Sequence, residues 1–361
     1  MKRVLKILLI LLLVIVVAFG GFLGYLTATQ LDPDKEGATL SSPGVNSTRT
    51  LANGDTFTVV TWNIGYGSLG KESDFFMDGG EQSRPANQQI VDKNIEGITE
   101  QLKPDSNGKM ADFMLLQEVD SGSRRSYGVV ETDLIAGGIG YTSAYALNYK
   151  CAFVPLPITK PLGKVTSGVF TLSGTEVTSA DRVALPSPFS WPVSVANLKR
   201  CLLVTRVPLQ DTDKELVIVN LHLEAYDDGE GKAAQTKALM DFLKGEYDKG
   251  NYVIAGGDFN QTFPGALDKY PVKDSELWTP GVLDTKDLPG EGWQFVTDIS
   301  TPTCRLLNQP YDPASDATQY YVIDGFIVSP NVRVEKVQTI DAGFEFSDHN
   351  PVTMTVTLQA D

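Results

Sequence analysis

Five places in the 361-residue chain set polar residues that suit metal or phosphate chemistry beside apolar runs of strand length. Thr61-Trp62-Asn63-Ile64-Gly65 presents a neutral amide, and Leu115-Leu116-Gln117-Glu118-Val119-Asp120 presents a carboxylate. Val219-Asn220-Leu221-His222-Leu223 offers an imidazole, Gly256-Gly257-Asp258-Phe259-Asn260 a carboxylate and an amide, and Phe346-Ser347-Asp348-His349-Asn350-Pro351 a carboxylate beside an imidazole. Carboxylate oxygens suit hard divalent cations, and imidazole exchanges protons near neutral pH. Taken singly, each has a plainer reading: Asn and Asp after strands usually satisfy their own turn, strand-end Glu is usually solvated, and a lone His is usually packed. The ensemble resists that reading, because Asp258 and Asn260 alternate onto one face and both histidines of the chain, His222 and His349, fall within the set.

The elements that must position these groups are legible by period. Phe57 to Trp62, Phe113 to Leu116, Leu216 to His222, Tyr252 to Ala255, Tyr321 to Val328 and Val352 to Leu358 are β-branched or aromatic runs of strand length. Val91, Ile95, Ile98 and Leu102 recur at helical spacing, which predicts an amphipathic helix over Asn87 to Leu102. Lys232 to Lys244 is a second, with Leu239, Phe242 and Leu243 facing inward. Strands mixed with crossover helices predict α+β layers, and no Walker loop or GxGxxG follows any strand.

Composition bounds the function. With 30 basic and 45 acidic residues the chain carries −15, which disfavours non-specific retention of nucleic acid. Cys151, Cys201 and Cys304 are too widely spaced for a CxxC knuckle or a disulfide framework, although Cys151 and Cys201 remain a candidate pair. Ile7 to Leu26 is an uncharged apolar run that would reach about 30 Å as a helix, a bilayer core. Lys2, Arg3 and Lys6 precede it and Asp32, Asp34 and Glu36 follow, so residues 1–28 read as a single-pass anchor with the remainder outside the cytoplasm. A cleaved signal and a secreted product is the alternative. Residues 29–55 are polar and aperiodic, the pattern of a flexible linker, and Asn46-Ser47-Thr48 within them reads as a chance sequon. Residues 56–361 form one catalytic-size domain.

Six motifs in order, WNI at 62–64, LQEVD at 116–120, NLHL at 220–223, GGDFN at 256–260, IDGF at 323–326 and SDHNP at 347–351, resemble the endonuclease/exonuclease/phosphatase superfamily. The resemblance implies a four-layer αββα sandwich of two packed mixed sheets with the site at one edge. It also implies roles. Glu118 is the main ligand of Mg²⁺, with Mn²⁺ as a substitute, Asn63 supports that shell, and Asp348 adds to a second or shifting metal position. Asp258 orients or deprotonates the attacking water, and Asn260 donates to a phosphate oxygen. His222 and His349 flank the phosphorus, and Asp324 holds His349 by its other nitrogen. Whether Asp258 or the Asp324–His349 pair is the general base stays open.

Specificity is less legible. The loop from Tyr66 to Pro85, with Asp74, Asp78 and Arg84, is either a substrate loop or an exposed insertion. Arg124 and Arg125 read as an exposed ion pair or a phosphate contact, and Tyr149-Lys150 and Lys199-Arg200 as substrate contacts or plain surface. The chain thus reads as a membrane-tethered extracytoplasmic hydrolase of a phosphoester, a phospholipid head group or small phosphoester before a polynucleotide. A deoxyribonuclease-like enzyme, with nucleic acid as substrate only, is the second reading, and a non-catalytic binding module on the same fold the third. Oligomeric state is not encoded in any of these features.

Overall fold

In a strand, successive side chains alternate between two faces, and here both faces of most strands are apolar, so each sheet must be covered twice. The computed structural model describes residues 1–359 apart from 105, 107, 211 and 228; the expected domain end at 361 lies outside the described residues. Its strands are β1 (Thr39–Leu40), β2 (Thr56–Asn63), β3 (Phe113–Asp120), β4 (Thr142–Val154), β5 (Gly163–Ser173), β6 (Ser179–Ala184) and β7 (Cys201–Pro208). There follow β8 (Glu215–His222), β9 (Tyr252–Asp258), β10 (Gln294–Val296), β11 (Asp324–Val328), β12 (Val332–Thr339) and β13 (Val352–Leu358). One sheet has the order β1-β4-β5-β3-β2-β13-β12 and the other β10-β11-β9-β8-β7-β6. Short two-stranded ladders lie outside them.

Only two neighbouring pairs in these sheets are parallel, β2 with β3 and β8 with β9. A parallel pair needs a crossover, and each has a helix: α2 (Gln88–Leu102) and α4 (Glu230–Tyr247), the longest helices after α1 (Lys2–Thr29) and longer than α3 (Glu131–Ile139). Asn87 caps α2 by accepting from the Ile90 amide. The α2 stripe Val91, Ile95, Ile98 and Leu102 packs on Val60, Trp62, Met114 and Leu116. Leu239 and Leu243 of α4 pack on Val217, Val219, Val253 and Ala255. The opposite strand faces, Phe57, Val59, Phe113 and Leu115 against Ile218, Ile254 and Phe326, close on each other. The result is the four-layer αββα sandwich.

At the site edge the inter-sheet space turns polar. Gln117 Nε2 donates to Asn220 Oδ1 at 2.8 Å, and Asn220 Nδ2 donates to the carbonyls of Leu116 at 3.1 Å and Phe170 at 3.0 Å. A buried amide left unpaired costs about 1–3 kcal/mol, so this tie sets how the two sheets stand against each other beside the adjacent Glu118.

Three expectations change. Tyr321 to Val328 is not one strand: Tyr320–Tyr321 pairs with Cys304–Arg305, and β11 starts afresh at Asp324. Between them the Thr303 hydroxyl accepts from the amides of Ile323 and Asp324. All three cysteines are free and buried, so Cys151 and Cys201 do not pair. Residues 29–55 are not a free tether: α1 runs to Thr29, Leu31 and Leu51 are buried, β1 pairs with β4, and Arg49 forms an ion pair with Asp112. Polar composition hid two buried leucines too far apart to show a period. A chain beginning at Gln30 is therefore expected to fold. One beginning at Asn53 should be less stable by about 1.5–3 kcal/mol for each lost leucine. Urea unfolding of the two checks this, and equal midpoints would show that the segment adds nothing.

Candidate active site

Strand register assembles the site. Across β8, β9 and β11, His222 pairs with Asp258 and Asp258 with Asp324, so three functional groups stand in one row on one sheet. The other sheet supplies Asn63 at the end of β2, Glu118 from β3, and Asp348 and His349 from the turn before β13. Glu118 owes its direction to a bulge: Leu116 pairs with Phe170 and Val119 with Gly168, leaving Gln117 and Glu118 opposite Val169 alone. The extra residue puts Glu118 at φ 56°, a left-handed conformation costly for a non-glycine residue. Gln117 is thereby turned into the inter-sheet space and Glu118 toward the cleft.

Asp258 is the hub. Its Oδ2 accepts from Asn63 Nδ2 at 3.0 Å, and its Oδ1 from the Asn260 amide at 2.8 Å. The same Oδ2 lies 3.5 Å from His222 Nε2 and 3.8 Å from His349 Nε2. Across the sheets, Glu118 Oε1 is 3.7 Å from His222 Nε2. His349 Nδ1 donates to Asp324 Oδ2 at 2.8 Å, while its Nε2 points to Asp258 and to Asp348 Oδ2, 3.9 Å away. Trp62 Nε1 donates to the His349 carbonyl, and Ser347 Oγ to that of Asn63, fastening the turn to the end of β2.

All eight predicted residues thus line or adjoin one center. Two differ in posture from expectation. Asn63 presents its amide nitrogen to Asp258 and engages Oδ1 with the Gly65 amide, so it steadies the carboxylate rather than offering a free oxygen. Asn260 leaves the strand, at φ 50°, and gives its side-chain amide to the Leu223 carbonyl at 2.9 Å.

Burial dominates the electrostatics. It raises Glu118 to about 8, aided by Asp348, and Asp258 to about 6, aided by Asp324. Asp348 is also raised by burial. Burial, with Arg200 and His349, drives His222 well below its usual value. Burial would lower His349 too, but Asp324, Cys304 and Asp348 together hold it well above.

The cleft around this center encloses about 420 Å³ and brings in residues that sequence left undecided. Arg125 is not an exposed pair: it is buried, donates twice to Asp120 at 3.0 and 2.9 Å, and lies over the Tyr66 ring. Arg200 is buried with Nε 3.7 Å from Glu224 Oε2, and neither Nε nor Nη1 has a hydrogen-bond partner among the described residues. Tyr149 lines the cleft, whereas Lys150 pairs outside with Glu36 and Lys199 with Gln30. From the Tyr66–Pro85 loop, Asp78 accepts from the Tyr226 hydroxyl at 2.9 Å and joins the lining. Gln117 and Asn220 lie within the LQEVD and NLHL motifs, but no local signal marks an inter-sheet hydrogen bond.

A family profile described as the Endonuclease/Exonuclease/phosphatase family matches residues 60–349. The chain belongs to this family. Its members are generally hydrolases of phosphoester bonds and typically use divalent metals. No curated protein matches the chain in sequence. Solved structures share the fold. An endonuclease/exonuclease/phosphatase from Beutenbergia cavernae is 17% identical, with TM-score 0.56 over 84% of this chain and 72% of that one. A family protein from Bacteroides thetaiotaomicron is 14% identical, with TM-score 0.52 over 85% and 100%. One from Bacteroides vulgatus is 15% identical, with TM-score 0.50 over 84% and 100%.

The donor set fits a divalent cation. Asp258 and Asp348 are buried and the Glu118 side chain is 15% exposed; beyond burial, Asp348 and Asp258 raise Glu118 and Asp324 raises the other two, the signature of a center lacking its counter-charge, and His222 Nδ1 lacks a hydrogen-bond partner among the described residues. Ligand atoms of Cys304, Asp348 and His349 lie within 4.8 Å of one another; those of Asp258, Asp324 and His349 do too, but there Asp324 is engaged by His349 Nδ1 and acts as the partner of the imidazole. A cation must displace the proton that Glu118 retains below about 8. Apparent affinity is therefore expected to rise with pH toward 8 and then level, by up to about tenfold per pH unit for one displaced proton. Calorimetric Mg²⁺ titrations at pH 6, 7 and 8 check this; a flat profile would contradict it.

Proposed function

We propose that the protein is a membrane-anchored, extracytoplasmic phosphoesterase using Mg²⁺, or Mn²⁺ in its place, on a phospholipid head group or a small phosphoester. The observation that carries this reading is the convergence of Glu118, Asp258, Asp348, His222 and His349 on the floor of a cleft whose other wall is largely apolar. Glu118 and Asp348 would hold the cation, which when bound polarises the phosphoester and stabilises charge on its oxygens. Asp258, fixed by Asn63 and the Asn260 amide, orients the water for in-line attack and takes up its proton. His222 and the Asp324-held His349 direct Nε2 toward the reacting phosphate, and the second amide hydrogen of Asn260 is left for a non-bridging oxygen. Arg200, on the cleft wall with Nε and Nη1 free of hydrogen bonds among the described residues, is suited to a substrate phosphate.

The test is hydrolysis by the full chain, with Mg²⁺ or Mn²⁺, of bis(p-nitrophenyl) phosphate, phospholipid vesicles, inositol phosphates and DNA. Cation-dependent turnover of a small or lipid phosphoester, abolished by EDTA, is expected. Preference for DNA would overturn the substrate class, and no turnover of any would overturn the enzymatic reading.

A further inference from the structure

The chain leaving α1 retraces β4 in the opposite sense. Phe22 packs edge-on against Phe153, centroids 6.0 Å apart, and Leu26 is buried with Tyr149, Cys151 and Val154. Further along, the Leu31 amide donates to the Lys150 carbonyl, and Thr39 and Leu40 pair with Tyr145 and Ala144. Followed forward, β4 therefore advances from the domain toward the apolar helix. Phe22 lies inside the end of the 7–26 run by four residues, about 6 Å at the helical rise. With that run across a bilayer, Phe153 stands at the edge of the hydrocarbon.

The turn from β4 to β5 begins just after Phe153 and Val154. It carries Leu156 and Ile158, 53% and 85% exposed, together with Lys160, and Lys164 follows at the start of β5. A second loop is fastened to the same end of α1, because Trp191 Nε1 donates to Thr27 Oγ1 at 3.1 Å and Val195 packs in the cluster of Leu26. Its Trp191 and Val193 are 60% and 56% exposed. Exposed apolar residues gathered this way mark an interaction surface, and tryptophan and lysine are the side chains that settle at a bilayer interface.

Charge divides along the same line. Although the chain holds 45 acidic residues, none lies in 142–175 or 183–210, which carry Lys150, Lys160, Lys164, Lys199, Arg200 and Arg206. Asp32, Asp34 and Glu36 follow α1 directly, but Asp32 is paired with Lys35 and Glu36 with Lys150, and the two loop segments themselves add no acidity that would repel an anionic leaflet.

We propose that these two loops dock into the leaflet from which α1 emerges, so that the partner of this face is the lipid bilayer. The inference rests on the reading of α1 as a retained span. Val154, Leu156, Pro192 and Val193 also line the catalytic cleft, which makes its apolar wall continuous with the docked loops. The substrate class that follows is a phosphoester lipid drawn from that same leaflet, its phosphate at the Asp258 center and its apolar part along this wall.

The test uses the full chain in nanodiscs of phosphatidylcholine and phosphatidylglycerol, labelled with an environment-sensitive fluorophore at Ile158→Cys or Trp191→Cys; the native cysteines are buried. Lys237→Cys, on the exposed face of α4, is the reference. Blue-shifted emission quenched by nitroxide lipids at 158 and 191, with neither effect at 237, is expected. Water-like emission at 158 and 191, or failure of the chain to insert in the nanodisc, would overturn the proposal. Where Trp191→Cys melts below the unsubstituted chain, Ile158→Cys alone decides. The labels report independently of catalysis. Docking without hydrolysis of any phosphoester would sink the enzymatic reading and leave this one, and hydrolysis with both labels in water would do the reverse.

Discussion

Replacing Asp324 by Asn is expected to lower turnover substantially, within the range of about 10²–10⁴-fold that a positioned acid–base group contributes, while leaving cation affinity nearly unchanged. The geometry isolates the cause. Asp324 Oδ2 accepts from His349 Nδ1 at 2.8 Å, and Oδ1 has no partner among the described residues, so the side chain acts through the imidazole. Its backbone amide is held separately by the Thr303 hydroxyl, which the substitution does not touch. With the carboxylate gone, His349 loses the neighbour that fixes its ring and offsets the effect of burial, and Nε2 becomes a poorer donor toward the phosphate. His349→Ala should be at least as damaging. The double variant should be little worse than His349→Ala alone, because residues acting as one unit are non-additive. Kinetics and melting temperatures of the three variants decide it. Fully additive losses would break the dyad, and a lowered melting temperature with unchanged rate per folded molecule would make Asp324 a structural residue.

Glu118→Gln is expected to cost about 10²–10³-fold in turnover at limiting Mg²⁺, since the charge stabilisation supplied by a bound cation is worth several kcal/mol. The substitution preserves shape, so the bulge that sets Glu118 at φ 56° and the Gln117–Asn220 tie beside it should persist. The carboxylate that titrates at about 8 is what disappears. The variant should therefore also lose most of the pH dependence of cation affinity between 6 and 8. Turnover measured against Mg²⁺ concentration at two pH values reads both effects. Unchanged turnover at limiting cation would remove Glu118 from the center.

Sequence alone determined a good deal about this protein. Period placed β13 at Val352–Leu358 and the α2 stripe, because burying one face of a strand or helix imposes a local repeat. Six short motifs in order carried the family, and with it the αββα layers. Seven of the eight candidate site residues stood out because chemistry restricts residue type beside strands, and Asp324 entered only through the IDGF motif. Tertiary structure alone decided what depends on neighbours distant in sequence. Arg125 became a buried bidentate partner of Asp120, Gln117 reached Asn220 across the sheets, and Asn63 turned its nitrogen rather than its oxygen to the center. The polar segment after α1 proved to be laid along β4 from Leu31 to Leu40, and Leu51 to enter the core beside Phe57 and Leu209, contacts that exist only in the folded chain. A local pattern records which face a residue buries; which side chain it meets there is fixed only when register and sheet packing bring the two together.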